Sequence, residues 1–320
     1  MYPRGKKAAK PLSPRAIRFA DVFHSAKMPT PPTVFGHHDL MGKEPWHVLG
    51  NDTYGNCVLV SAAHDLYLWS LIGGRPRVRI TTLDTLSDYH AITGFVLDDP
   101  ATDQGTDMAE AAEYYRTVGI RDSSNNRHRI DSYVALTPGD TRQHALAAYL
   151  FGAVDIGLSI SDEQDDQFDA GQPWTVTSTE PTGGHCVSVV GRDALGFFLV
   201  VTWGKLQRVA PSFIEKYMDE GYAYLSDAII GLKGLSLEAF DKPMLKRMLA
   251  RVSASPVQAT APAAAVALDL GPATPTREQF AVAFKVLRAD IDKSGYGFMM
   301  SDAKLKPFSD EITIAVVGAA

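Results

Sequence analysis

Helical patterns crowd the first part of this chain and β-branched runs the later part, and that segregation limits the fold more than any other feature. Residues 59–70 read as a largely apolar helix, with Leu59, Ala62, Ala63, Leu66 and Trp69 along one side. Residues 109–118 form another, with Asp107 near its start and Gly119 as its stop. A third, 141–151, is opened by Pro138-Gly139-Asp140 and closed by Gly152. Strands are expected at 153–160, 186–192 and 196–203, where β-branched and aromatic runs lie between glycine-containing breaks, and residues 193–196 join the last two as a hairpin. Helices first and antiparallel strands later predict an α+β fold rather than repeated βαβ units.

The flanks differ in composition. Residues 1–32 carry Arg4, Lys6, Lys7, Lys10, Arg15 and Arg18 before the first acid, Asp21, and end in Pro29, Pro31 and Pro32. They read as an extended basic arm, most simply solvated, with docking on an acidic partner as the sharper reading. The main domain is expected over 33–250. Residues 251–275, rich in Ala, Pro, Ser and Thr, cannot bury much and read as a linker, followed by a small C-terminal module at 276–320.

Bulk properties exclude several classes. A chain of 320 residues with 45% hydrophobic and 21% charged residues is an ordinary globular composition. A net charge of −6 gives no case for nucleic-acid binding. Two cysteines, Cys57 and Cys186, build no disulfide framework, and a reducing compartment is the simpler expectation. The basic, proline-rich start is not a secretory signal and no stretch suits a membrane span, so the expectation is a cytoplasmic protein with no membrane partner.

The chemistry concentrates in two places. Asn51-Asp52-Thr53-Tyr54-Gly55-Asn56-Cys57-Val58 sets a thiol just after a Gly-Asn turn, at the start of the first helix. A cysteine in that position feels the positive end of the helix, which favours thiolate. Far downstream, Gly183-Gly184-His185-Cys186-Val187 puts an imidazole at a strand start, where it can take the thiol proton. Attack by Cys57 on an acyl carbon creates an oxyanion, to which the Cys57 N–H and the Asn51 amide can donate; one such donor is worth about 2.7–4 kcal/mol. Gly105 lets an extended backbone come close, and Trp203 can shield His185 from water.

Taken together, these residues resemble the papain-like cysteine peptidases over about residues 34–232. Asn51 stands six positions before Cys57, where the family carries an oxyanion-hole glutamine. Gly55-Asn56-Cys57-Val58 is similar to its Gly-Ser-Cys-Trp, without the aromatic. Asp103-Gln104-Gly105-Thr106-Asp107-Met108 looks like its glycine-bearing substrate strand, and 185–192 like its histidine strand. The resemblance implies a two-lobed fold, a helical lobe carrying Cys57 and a β lobe carrying His185, with peptide hydrolysis through a thioester. It implies Cys57, His185 and Asn51 as catalytic and Gly105, Gly184 and Trp203 as substrate-binding, with no metal and no cofactor. One departure stands out. The asparagine that orients the family's histidine aligns with Val201, which accepts no proton, and strand alternation predicts that Thr202 looks away. Weakened activity is therefore expected. The arm is shorter than the family's long helical propeptide, so no zymogen step is expected.

Other features have simpler readings. Cys186, next to His185 on a strand, is expected to point into the core. His64 lies seven residues after Cys57 on the same helix face but has no third ligand nearby, so packing is the expectation, and His37, His38 and His47 are uncommitted. Residues 161–166 read as a solvated acidic loop that can border the cleft and favour basic substrate residues. Asp290-Ile291-Asp292-Lys293-Ser294-Gly295 resembles a calcium loop, but Gly297 and Ser301 stand where an aliphatic and a bidentate glutamate belong, so no calcium binding is expected. The apolar tail 312–317 is expected to pack on the module's helix or on a protein partner. Two rivals to a peptidase remain: a lapsed papain-like domain serving as a binding module, and a cell-wall amide hydrolase, which also orders Cys before His.

Overall fold

The computed structural model describes residues 1–12, 16–22 and 30–229. The expected linker, the C-terminal module with its calcium-like loop, and the far end of the main domain lie outside the described residues.

A single turn, α1 (Phe19–Val22), and a short strand, β1 (Phe35–Gly36), lead into the long helix α2 (Cys57–Ile72). Helices α3 (Thr82–Thr93) and α4 (Met108–Thr117) follow, then the two-stranded ribbon β2 (Ile120–Arg121) and β3 (Arg127–His128), strand β4 (Ser132–Ala135) and helix α5 (Thr141–Phe151). The rest is mainly sheet: β5 (Val154–Ile160), helix α6 (Asp162–Asp169), β6 (Gly183–Arg192), β7 (Phe198–Thr202), β8 (Lys205–Val209), helix α7 (Pro211–Tyr217) and β9 (Met218–Leu225). The large sheet runs β4-β9-β5-β6-β7-β8, with β1 added to β6, and these strand pairs are all antiparallel. The α+β expectation holds: helices first, antiparallel sheet second.

Helix starts follow local chemistry. Thr81 and Asp84 form a reciprocal capping box on α3. Asp107 accepts from the N–H groups of Ala109 and Glu110 on α4, and Asp140 from that of Gln143 on α5.

Helix α2 is the hub, and it is buried nearly all round rather than along one side. That buries Ser61, His64 and Asp65 with Leu66 and Trp69, so each polar group needs a partner. Ser61 donates to Asp155 of β5, Ser188 of β6 donates to Asp65, and His64 Nε2 lies 3.0 Å from the His47 carbonyl. These contacts tie the helix to the sheet face carrying Asp155 and Ser188. No helix among the described residues is long and apolar enough to cross a membrane.

Candidate active site

Cys57 opens α2 and is buried. The loop before it is held from several sides. The Gly55 N–H donates to both carboxylate oxygens of Asp103, at 3.1 and 3.0 Å, and Asn56 Nδ2 donates to the Leu49 carbonyl at 3.0 Å. Asn51, also buried, donates one of its two amide N–H bonds to the Tyr54 carbonyl at 3.2 Å. His47 and Leu49 adopt positive φ, 59° and 51°, as does Trp203 at 45°. A backbone bridge between His47 and Gly204 joins these two strained stretches. Such conformations cost of order 1–3 kcal/mol each and gather where a site must be held in shape.

His185 sits near the start of β6, fully buried. Its Nε2 lies 2.7 Å from the Thr202 hydroxyl, which overturns the expectation that Thr202 looks away and that the ring has lost its orienting group. The register supplies the reason. Ser188 faces Val201 across β6 and β7, and the antiparallel pairing therefore aligns Val187 with Thr202. Side chains alternate along a strand, so Thr202 shares the face of Val187 and His185, while Val201 shares that of Ser188. Trp203 stacks on the imidazole, ring centroids 4.7 Å apart and planes 25° apart. His185 Nδ1 is buried with no hydrogen-bond partner among the described residues.

Residues 1–12 do not form a solvated tail; the arm lies through the groove beside both groups. The Lys6 N–H donates to the Gly184 carbonyl (3.0 Å), the Lys7 N–H to the Thr106 carbonyl (3.0 Å), and the Thr106 N–H to the Gly5 carbonyl (2.8 Å). Shortness therefore does not keep the arm from occupying the site. Gly105, at φ +70°, has its Cβ position 2.5 Å from the Gly5 carbonyl oxygen, and that of Gly184 is 2.4 Å from the Lys6 oxygen. Two of the expected substrate-binding residues thus flank an extended backbone, and the third, Trp203, stacks on Tyr2 at 4.1 Å.

Side chains fix the arm as well. Arg4 grips Asp165 with two bonds, 2.9 and 3.1 Å, and the Tyr2 N–H donates to the same carboxylate. Lys10 pairs with Asp107 and Glu110. The acidic stretch at 161–166 is consequently no loop: a capping box formed by Ser161 and Gln164 starts α6, and buried Asp165 faces the arm.

Electrostatics at the covered site keep both groups neutral. Burial pushes the Cys57 thiol up to about 11, although the backbones of Cys186, Gly5 and Val58 and the Lys6 charge pull it down. Burial, and then the Arg4 charge, lower His185 to about 3. The Cys186 backbone, among the groups that pull the Cys57 thiol down, belongs to the residue after His185 on β6. His64 is a packing residue, lowered to about 4 by its burial. No group of three or more potential metal ligands occurs among the described residues.

Sequence reasoning missed three parts of this region. Thr202 could have been found from the hairpin register, but only with the extra residue near Val190, where the pairing of β6 and β7 shifts. Asp103 was read only as part of a substrate strand. The acids Asp219 and Glu220, which bind Lys6, left no signal beyond their adjacency.

No protein-family model and no curated protein matches the chain. Solved structures do. Xylellain, a cysteine protease from Xylella fastidiosa, matches with a TM-score of 0.52 at 13% identity, over 70% of this chain and 98% of that one. A digestive procathepsin L2 proteinase from Tenebrio molitor larval midgut matches with a TM-score of 0.51 at 16% identity, over 70% and 78%. The chain has the fold of the papain-like cysteine proteases, in a divergent form.

Proposed function

We propose that this chain is a cysteine peptidase whose groove is held closed by its own residues 1–12. The observation that carries the reading is the state of the His185 ring. Thr202 and Trp203 anchor one nitrogen and one face, while Nδ1 is left unengaged on the strand that meets Cys57. General-base catalysis needs the base within hydrogen-bond reach of the proton, and an unbonded Nδ1 is free to make that contact with the thiol when the groove opens and substrate binds.

In the reaction the arm leaves and a peptide takes its place. His185 Nδ1 takes the Cys57 proton while Nε2–H donates to Thr202. The thiolate attacks the carbonyl carbon, and the oxyanion is met by the Cys57 N–H and the second N–H of Asn51. The C–N bond breaks, His185 passes its proton to the departing amine, and water then hydrolyses the thioester.

Displacement of the arm also restores the electrostatics. Water returns to the site and Arg4 leaves it, which relieves the burial that holds both groups neutral and allows the thiolate–imidazolium pair to form. The closed groove equally suits a lapsed domain that uses the cleft for binding. Hydrolysis of a casein or peptide library by an R4A/K6A variant, lost in C57A and H185A, separates the two readings. Selective binding without any Cys57-dependent cleavage favours the lapsed domain.

A further inference from the structure

We propose that the cavity holding Lys6 is a substrate subsite that selects a lysine side chain beside the scissile residue. The proposal rests on the peptidase reading for its consequence, though not for its geometry. Lys6 has no exposed side-chain surface, and its ammonium lies 2.9 Å from Asp219 Oδ2, 3.1 Å from Glu220 Oε1 and 2.9 Å from the Lys7 carbonyl. Three N–H bonds therefore meet three acceptors. Fully satisfied, a buried cation is stable; an uncharged chain of the same length would leave two carboxylates facing an apolar plug.

The walls fit a lysine stem. A Cβ at Gly157 would stand 2.0 Å from Lys6 Cε and 2.6 Å from Cδ, so the absence of a side chain there makes the channel. The floor is also built for the purpose. Consecutive strand residues face opposite ways, yet both Asp219 and Glu220 reach one nitrogen. Glu220 pairs with Gly157, whereas Met218 pairs with Leu158, leaving Asp219 as the extra residue of a bulge. Bulges re-aim a side chain in this manner.

The backbone bonds that hold Gly5, Lys6 and Lys7 involve only main-chain groups of Gly184 and Thr106, so they carry no sequence preference. Selectivity must come from the cavity. The arm itself is poorly placed for attack, because the Gly5 carbonyl is engaged by the Thr106 N–H, 2.8 Å away, on the groove wall. A peptide running the other way exchanges N–H and carbonyl positions while keeping its side chain in the cavity. Lysine would then precede by one residue the residue whose carbonyl meets Cys57, and hydrolysis with water would cut the bond after that second residue.

The test uses the full-length R4A/K6A protein, in which the arm's side-chain anchors are removed and the cavity is vacated. Labelled peptides Ac-Ala-Lys-Gly-Ala-amide and their norleucine, arginine and glutamate counterparts are measured for binding by fluorescence anisotropy and for cleavage by mass spectrometry. The expected result is at least tenfold tighter binding of the lysine peptide than of the norleucine one, with arginine weaker than lysine and glutamate weakest. That preference falls to under twofold when D219N/E220Q is added, and the single D219N variant gives an intermediate value. Equal binding of lysine and norleucine peptides, or a preference that survives D219N/E220Q, overturns the proposal. Lysine-selective binding with no cleavage of any peptide leaves the subsite standing and counts against the peptidase. Cleavage without lysine preference does the reverse.

Discussion

The Thr202 hydroxyl and the Nε2 of His185 lie 2.7 Å apart on one face of the sheet, diagonal neighbours across β6 and β7. The contact fixes the ring and its tautomer when Nδ1 acts as the base. Thr202→Val keeps the shape and removes the acceptor, leaving a buried N–H unpaired at a cost of about 1–3 kcal/mol. The expected outcome in an arm-loosened background is a fall in kcat/KM of roughly tenfold to a hundredfold with KM little changed. Steady-state kinetics on a peptide substrate checks it. Thr202→Ser should restore most of the loss.

Arg4 and Asp165 clamp the start of the arm, with two bonds in a largely buried setting. Arg4→Ala leaves Asp165 without its cation and frees residues 1–5 from the groove. Alkylation of Cys57 by iodoacetamide at neutral pH, followed by mass spectrometry, should accelerate at least tenfold over the unaltered chain. An unchanged rate would mean that the arm does not guard the thiol.

Three buried histidines tie stability to pH. His144 is lowered by burial to about 4, and its Nε2 bonds the Thr137 carbonyl. Its folded pKa lies below the unfolded value of about 6.5, so the unfolded state binds its proton first as the solution is acidified. Its contribution is complete above about pH 6.5 and is lost as pH falls toward 4. His64 and His185 act in the same direction. His144→Gln should flatten the fall in urea-unfolding stability between pH 6.5 and 4, by up to about 3 kcal/mol.

Asp155 and Asp65 work the other way. Both are fully buried and each accepts from a serine; burial raises both above the ordinary carboxylate range, and repulsion from Asp155 adds to the rise at Asp65. A carboxyl raised in the folded state holds its proton longer there, so its stabilising effect is present in acid and lost as pH climbs through the raised value. Asp155→Asn removes the titration and keeps the shape. Its unfolding free energy relative to the parent should therefore increase from pH 4 to pH 8, measured by urea denaturation.

How much of this was legible in the residues depends on the range of the interactions. Helix α5 was read at Thr141–Phe151, its observed limits, because Asp140 and Gly152 mark its ends locally. Helix α3 is hard to read from its residues, since Asp84 and Asp88 are polar yet lie on its buried side and break the apolar period. Cys57, Asn51, His185, Gly105, Gly184 and Trp203 could be named from motif order. Thr202 could not, because one bulge residue in β6 shifts the frame in which facing residues are counted. The arm was misjudged for a related reason. Its basic charge suggested solvent, but its partners, Asp165, Asp219, Glu220 and Asp107, lie 97 or more residues away in sequence and converge only in the fold.

The central claim is that Cys57 is a nucleophile activated by His185. It is tested most directly by treating the full-length R4A/K6A protein with a biotinylated peptidyl epoxide and locating the adduct by mass spectrometry. The account predicts a stoichiometric adduct on Cys57, none on Cys186, and loss of labelling when His185 is changed to Ala. Labelling absent from Cys57, or equally fast in the H185A background, would contradict it.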